Sequence, residues 1–103
     1  MKLIPIAAGE QEYRPFLFKY AMRNKAVDFV QPDAGYSGGF SQMLDIARYA
    51  ETSGTTVEPH SPSPGMNNIV TMHLLRSSSA GAHIMEFNCV DSGAPEVDLF
   101  KTY

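Results

Sequence analysis

The stretch AVDFVQPDAGYSGGFSQMLDIARYAETSGTTVEPHSP, residues 26–62, decides the fold. It opens with AVDFV, a short apolar run closed by Gln31, Pro32 and Asp33, which reads as a buried strand ending in a turn. A glycine-rich turn follows over residues 35–39. Residues 40–53 then give the clearest helix, with Phe40, Met43, Leu44, Ala47 and Ala50 at helical spacing. Gly54 stands where a left-handed residue would stop that helix. Residues 55–58 (TTVE) read as the next short strand, and residues 59–65 (PHSPSPG) as a loop by their proline content. Strand, helix, strand in this order is the repeating unit of a parallel sheet.

Working outward, the same unit recurs on both sides. Residues 3–8 (LIPIAA) predict a strand ending at Gly9 and Glu10. Residues 14–23 predict a helix with Pro15 in its first turn and Phe16, Leu17 and Tyr20 on one face. Beyond the proline loop, residues 67–76 predict an apolar helix carrying Ile69, Val70, Met72, Leu74 and Leu75. Residues 82–87 (AHIMEF) predict a fourth strand, and from Val90 onward no period is visible. The alternation implies parallel strands joined by right-handed crossovers. Its even spacing fits βα-barrel units as well as an open doubly wound sheet. No Gly-x-Gly-x-x-Gly follows any strand, which argues against dinucleotide binding.

Bulk properties narrow the function classes. The 103 residues carry a formal net charge of -3, with 44% hydrophobic and 18% charged residues, as a folded globular chain does. The eight basic residues are scattered, so no nucleic-acid footprint is present and no nucleic-acid partner is expected. No apolar run approaches the ~20 residues that span a bilayer, so no membrane partner is expected either. The single cysteine, Cys89, excludes an internal disulfide and suits a cytoplasmic protein.

Four ionisable residues share one kind of position. Glu10, Asp33, His60 and Glu86 each stand at or just after the C-terminal end of a predicted strand. In a parallel barrel those ends open on one face, and that face carries the chemistry. Taken one at a time the residues are ordinary. Glu10 reads as a solvated loop residue, Asp33 as a turn residue or helix cap, and His60 as a loop histidine. Glu86 lies in an apolar run and needs a partner if buried. His73 and His83 read as structural, and Cys89 as a small hydrophobe. Taken together, a carboxylate for a hard cation, a histidine and further acids make the set needed to remove a proton α to a carboxylate.

These residues carry a resemblance. IPIAAGE, then AVDFVQPDAGYSGGFSQMLDIARYAETSG, then TVEPHSP, then HIMEF are similar to the last half of the barrel in mandelate racemase-like members of the enolase superfamily. The similarity runs from about Leu3 to Phe87 and is most specific between Val27 and His60. It implies an α/β chain forming the C-terminal portion, about four βα units, of an enolase-type TIM barrel. It implies that Glu10 is a carboxylate ligand of Mg²⁺. Asp33 and His60 correspond to an acid and histidine dyad that moves protons. Glu86 corresponds to the last-strand glutamate that hydrogen-bonds a substrate carboxylate oxygen. The implied reaction is Mg²⁺-dependent dehydration of a sugar acid, with racemisation or epimerisation as the alternative.

The resemblance also implies what this chain lacks. The family's capping domain, first barrel strands, other metal carboxylates and second base find no match here, so residues 1–103 are expected to be a partial barrel domain. The chain alone is expected to be inactive, as a truncated half-barrel would be, and its open strand edge predicts self-association into a homo-oligomer. An unrelated α/β binding module remains the third reading. It requires the order of Asp33, the Gly38-Gly39 pair and His60 to be coincidence.

Overall fold

A computed structural model of the chain describes residues 4–62, 65–81 and 84–88. Its elements alternate as the sequence predicts: β1 (Ala7–Ala8), α1 (Pro15–Arg23), β2 (Phe29–Val30), α2 (Gly39–Ser53), β3 (Thr56–Val57) and α3 (Met66–Ser77). The strands lie side by side in the order β1-β2-β3, and both pairings are parallel. Ala7 is level with Phe29 and Thr56, and Ala8 with Val30 and Val57.

The strands are shorter than the apolar runs that code for them, but their hydrogen-bond ladder runs on. The Asp28 amide donates to the Ile6 carbonyl at 2.8 Å, and that of Gln31 to Ala8 at 3.0 Å. On the other side Thr56 donates to Asp28 at 3.2 Å, Glu58 to Val30 at 3.0 Å and His60 to Pro32 at 3.1 Å. Pro32 can hold this place because the ladder asks it only to accept. The ladder therefore carries both Asp33 and His60 to the same edge of the sheet.

Successive strand residues face opposite sides. Val30 and Val57 are fully buried beneath the helices, while Phe29 and Thr56 on the other face are only half-buried. The core joins the two valines to Phe18 and Met22 of α1, Met43, Ile46, Ala47 and Ala50 of α2, and Leu74 of α3. Each large side chain so buried contributes about 1.5–3 kcal/mol, which concentrates stability where α1 and α2 meet the strands. Gly54 stops α2 with φ 66° and ψ 31°, as its position predicts.

Several expectations are corrected. The buried face of α1 is Phe18 and Met22, not Phe16 and Tyr20, which are 58% and 67% exposed. Apolar residues surround this helix, so packing against α2 selects the face. Phe40 opens α2 at the surface, and Ile46, absent from the predicted stripe, is fully buried. α3 buries Asn68, Thr71 and Leu74, and its Met72 is exposed. The helix therefore packs through a partly polar face. The fourth strand is not continued over residues 84–88; what pairs with β3 is a parallel bridge from Gly81 to Val57. A side chain at Gly81 would meet the Leu75 carbonyl oxygen at 2.8 Å, so glycine lets the end of α3 approach the sheet here. His83, Cys89 and everything from Val90 onward lie outside the described residues. Among the described residues no helix is long and apolar enough to cross a membrane.

Candidate active site at the C-terminal ends of the strands

The site begins with a glycine. Gly9 follows β1 at φ 112°, and a Cβ there would lie 2.7 Å from the ring of buried Phe18. Only glycine makes this bend against the core. The bend continues as a turn in which the Glu12 amide donates to the Gly9 carbonyl at 3.0 Å, and Glu10 is displayed within it.

After β2 the chain folds around Asp33. Its Oδ1 accepts from the Gly35 amide at 2.6 Å and the Tyr36 amide at 3.3 Å. The side chain thereby closes its own turn, as aspartate does where backbone amides converge. That leaves Oδ2 to meet His60 Nδ1 at 2.9 Å. The Asp33 side chain is 4% exposed and that of His60 14%. A carboxylate so held accepts from Nδ1–H, which assigns the tautomer and leaves Nε2 to accept or release a proton.

Nε2 faces two more carboxylates. Glu10 Oε2 lies at 3.6 Å and Glu86 Oε2 at 3.7 Å. Both distances exceed a hydrogen bond, and both side chains are about half exposed. All four residues expected from sequence thus gather at His60: a buried acid on one nitrogen, two open acids on the other.

Three further residues build the site and were not expected. The Ser61 amide donates to Glu86 Oε2 at 3.0 Å, while its buried hydroxyl donates to Asn68 Oδ1 at 2.6 Å. Asn68 Nδ2 in turn donates to the Asn88 carbonyl at 3.3 Å. Glu86 is so aimed with no fourth strand among the described residues 84–88. Ser37 is fully buried and bonds the Asp33 backbone. Ser61 has one local signal, its place next to His60; Asn68 has none, because only the packing of α3 brings it there.

The cation chemistry is less complete. Among the described residues no three His, Cys, Asp or Glu side chains are grouped so as to hold a metal ion. Glu10 can offer one carboxylate, which is not by itself a site. A separate cleft lined by Phe29, Glu51, Thr55, Thr56, Ser79 and Gly81 lies toward the opposite ends of the strands and includes none of the four residues.

Comparison with known proteins gives the chain a family and a fold. The family described as enolase C-terminal domain-like matches residues 2–101. The chain is 37% identical over 71 residues to arabinonate dehydratase of Saccharolobus solfataricus, covering 69% of this chain and 19% of that protein. It is 39% identical over 59 residues to D-galactonate dehydratase of Verminephrobacter eiseniae, covering 57% of this chain and 15% of that protein. Among solved structures, an enolase from Pantoea ananatis with bound D-gluconate and magnesium superposes with a TM-score of 0.79 at 28% identity, covering 88% of this chain and 22% of the other. The chain thus spans about a fifth of the length of the proteins it matches.

Proposed function

The chain belongs to the enolase C-terminal domain-like family, and from that premise we propose that it is the C-terminal part of a sugar-acid dehydratase in which His60 and Asp33 move the proton. The observation that carries the proposal is the 2.9 Å bond between His60 Nδ1 and Asp33 Oδ2, with the other Asp33 oxygen already taken by two amides. The dehydratase names of the curated relatives favour loss of water over racemisation.

In this reading the substrate loses the proton α to its carboxylate and then its β-hydroxyl. His60 Nε2 takes the α-proton from its face of the substrate and delivers it to the departing hydroxyl, which leaves as water while the electrons of the broken C–H bond form the new C=C bond. Asp33 keeps the ring in one tautomer and balances the imidazolium when it forms. Glu86, aimed by the Ser61 amide, hydrogen-bonds a substrate carboxylate oxygen. The enol left behind becomes the keto acid by taking a proton at the carbon that lost the hydroxyl and giving up the proton of its enol oxygen.

Magnesium enters this reading through Glu10 alone. The described residues do not make a magnesium site among themselves, so no step is assigned through the metal. The isolated chain should neither bind Mg²⁺ tightly nor turn over substrate. Calorimetric titration with Mg²⁺ tests this, and stoichiometric binding that disappears in Glu10→Gln would overturn it. A cytoplasmic homo-oligomer is the setting the reading assumes.

The decisive assay uses the complete protein that carries this segment, incubated with a panel of sugar acids in deuterated water. The expected product is a 2-keto-3-deoxy acid. Exchange of the α-proton with no keto product would replace dehydration by racemisation or epimerisation.

A further inference from the structure

Glu10 and His60 come from different loops, and nothing in either residue explains why they stay 3.6 Å apart. Glu10 is half exposed and belongs to a turn closed by the Glu12 amide on Gly9. The tie across the loops is made by Ser37. Its hydroxyl accepts from the Asp33 amide at 3.2 Å and donates to the Glu12 carbonyl, 25 residues away in sequence, also at 3.2 Å. Its own amide donates to the Asp33 carbonyl at 2.7 Å. The side chain is fully buried, so water does not compete for these bonds.

A second contact spans the same two loops. Tyr13, next to Glu12, meets Tyr36, next to Ser37, edge to face with ring centroids 5.4 Å apart and planes at 62°. Both rings are exposed on their outer sides, at 65% and 43%. Aromatic pairs favour this geometry. One buried polar bond and one surface aromatic contact therefore join the loop that carries Glu10 to the loop that carries Asp33.

We propose that Ser37, supported by the Tyr13–Tyr36 pair, is a positioning residue that latches the Glu10 loop to the Asp33–His60 pair. The latch deepens the function proposed above and rests on it. Ser37 touches no reacting atom; it acts by fixing where Glu10 stands relative to His60 Nε2. An alanine at 37 keeps the Asp33 turn, because the Gly35 and Tyr36 amides still hold Asp33 Oδ1, but it releases Glu12. The predicted damage is selective: Glu10 drifts while Asp33 and His60 stay bonded.

NMR of the 103-residue chain separates the two. The wild type should show a nuclear Overhauser contact between the Glu10 side chain and the His60 ring, and a downfield proton on His60 Nδ1. Ser37→Ala should lose the first and keep the second. Retention of both would overturn the latch, because Glu10 would hold its place without it. Loss of both in a folded variant would overturn it too, making Ser37 a support of the whole turn. Absence of the Glu10–His60 contact in the wild type would also overturn it. Absence of the downfield proton in the wild type, with the Overhauser contact present, would instead strike the His60–Asp33 pair and hence the function. Should Ser37→Ala fail to fold, Ser37→Cys, close in size with a much weaker donor, replaces it: the same selective loss is expected, and retention of both signals overturns the proposal.

Discussion

Two carboxylates at opposite ends of the strands use the same donors to different ends. Asp33, at the C-terminal ends, and Glu51, on α2 near the other end, each accept backbone amides from a turn. Glu51 spends one oxygen on everything: Oε1 accepts from the Ser79 amide at 2.8 Å, the Ser79 hydroxyl at 2.9 Å and the Ser78 hydroxyl at 3.0 Å. Asp33 divides its oxygens, one for its turn and one for His60. Glu51 is exposed and Asp33 is buried. The first is a stitch between α2 and the chain leaving α3. The second is a turn that leaves one oxygen for His60. In parallel βα folds the two ends of the strands divide labour in this way, stability at one and reaction at the other.

The sharpest way to break the comparison is to remove the divided function. In the complete protein, His60→Asn should lower kcat by about 10²–10⁴-fold, the usual worth of a positioned acid or base. Asp33→Asn should fall in the same range through loss of the tautomer, although its turn can still form. Metal binding should survive both substitutions. Loss of Mg²⁺ binding in His60→Asn would make His60 a ligand or a structural residue and end the dyad reading.

The next largest effect lies at the hinge of the site. Gly9→Ala forces a side chain into φ 112° and into the Phe18 ring. The backbone strain costs about 1–3 kcal/mol, and displacing a packed ring costs a similar ~1–3 kcal/mol. Urea unfolding should show a lower midpoint at unchanged slope. An unchanged midpoint would mean that the bend relaxes freely and that Glu10 is not held by it.

Much of this was legible in the sequence, for reasons that differ by residue. α2 was legible because its stripe, its entering glycines and Gly54 all agree. Asp33 and His60 were legible because strand ends converge in any parallel fold, whatever the strands' exact length. The face of α1 was not legible: Phe16, Leu17, Phe18, Tyr20 and Met22 crowd the whole circumference, so periodicity does not choose among them. Ser61 and Asn68 were not legible because their bond depends on where α3 docks, a tertiary fact with no local signature. The predicted fourth strand shows the same limit in reverse. An apolar run placed Glu86 at the right edge, yet the Ser61 amide holds it there, without a continuing ladder over the described residues.

The smallest expected effect belongs to Glu51 and tests the other side of the comparison. Donation from the Ser79 amide, and then from the Ser79 and Ser78 hydroxyls, holds its carboxyl below the ordinary 4.5. The folded state therefore prefers the ionised form. Its contribution to stability is present in full above the unfolded value and fades as the pH falls through the lowered one. Glu51 is open to water, so the contribution is small and screened by salt. The Ser79 amide shift should titrate on the acid side of 4.5 in the wild type and stay flat in Glu51→Gln, and at one fixed pH the substitution should leave the Asp33–His60 signals where they were. If the Ser79 amide ignores both pH and substitution, the stitch is absent in solution. If Glu51→Gln moves the His60 signals at fixed pH, the two ends of the strands are coupled and the division of labour between these carboxylates fails.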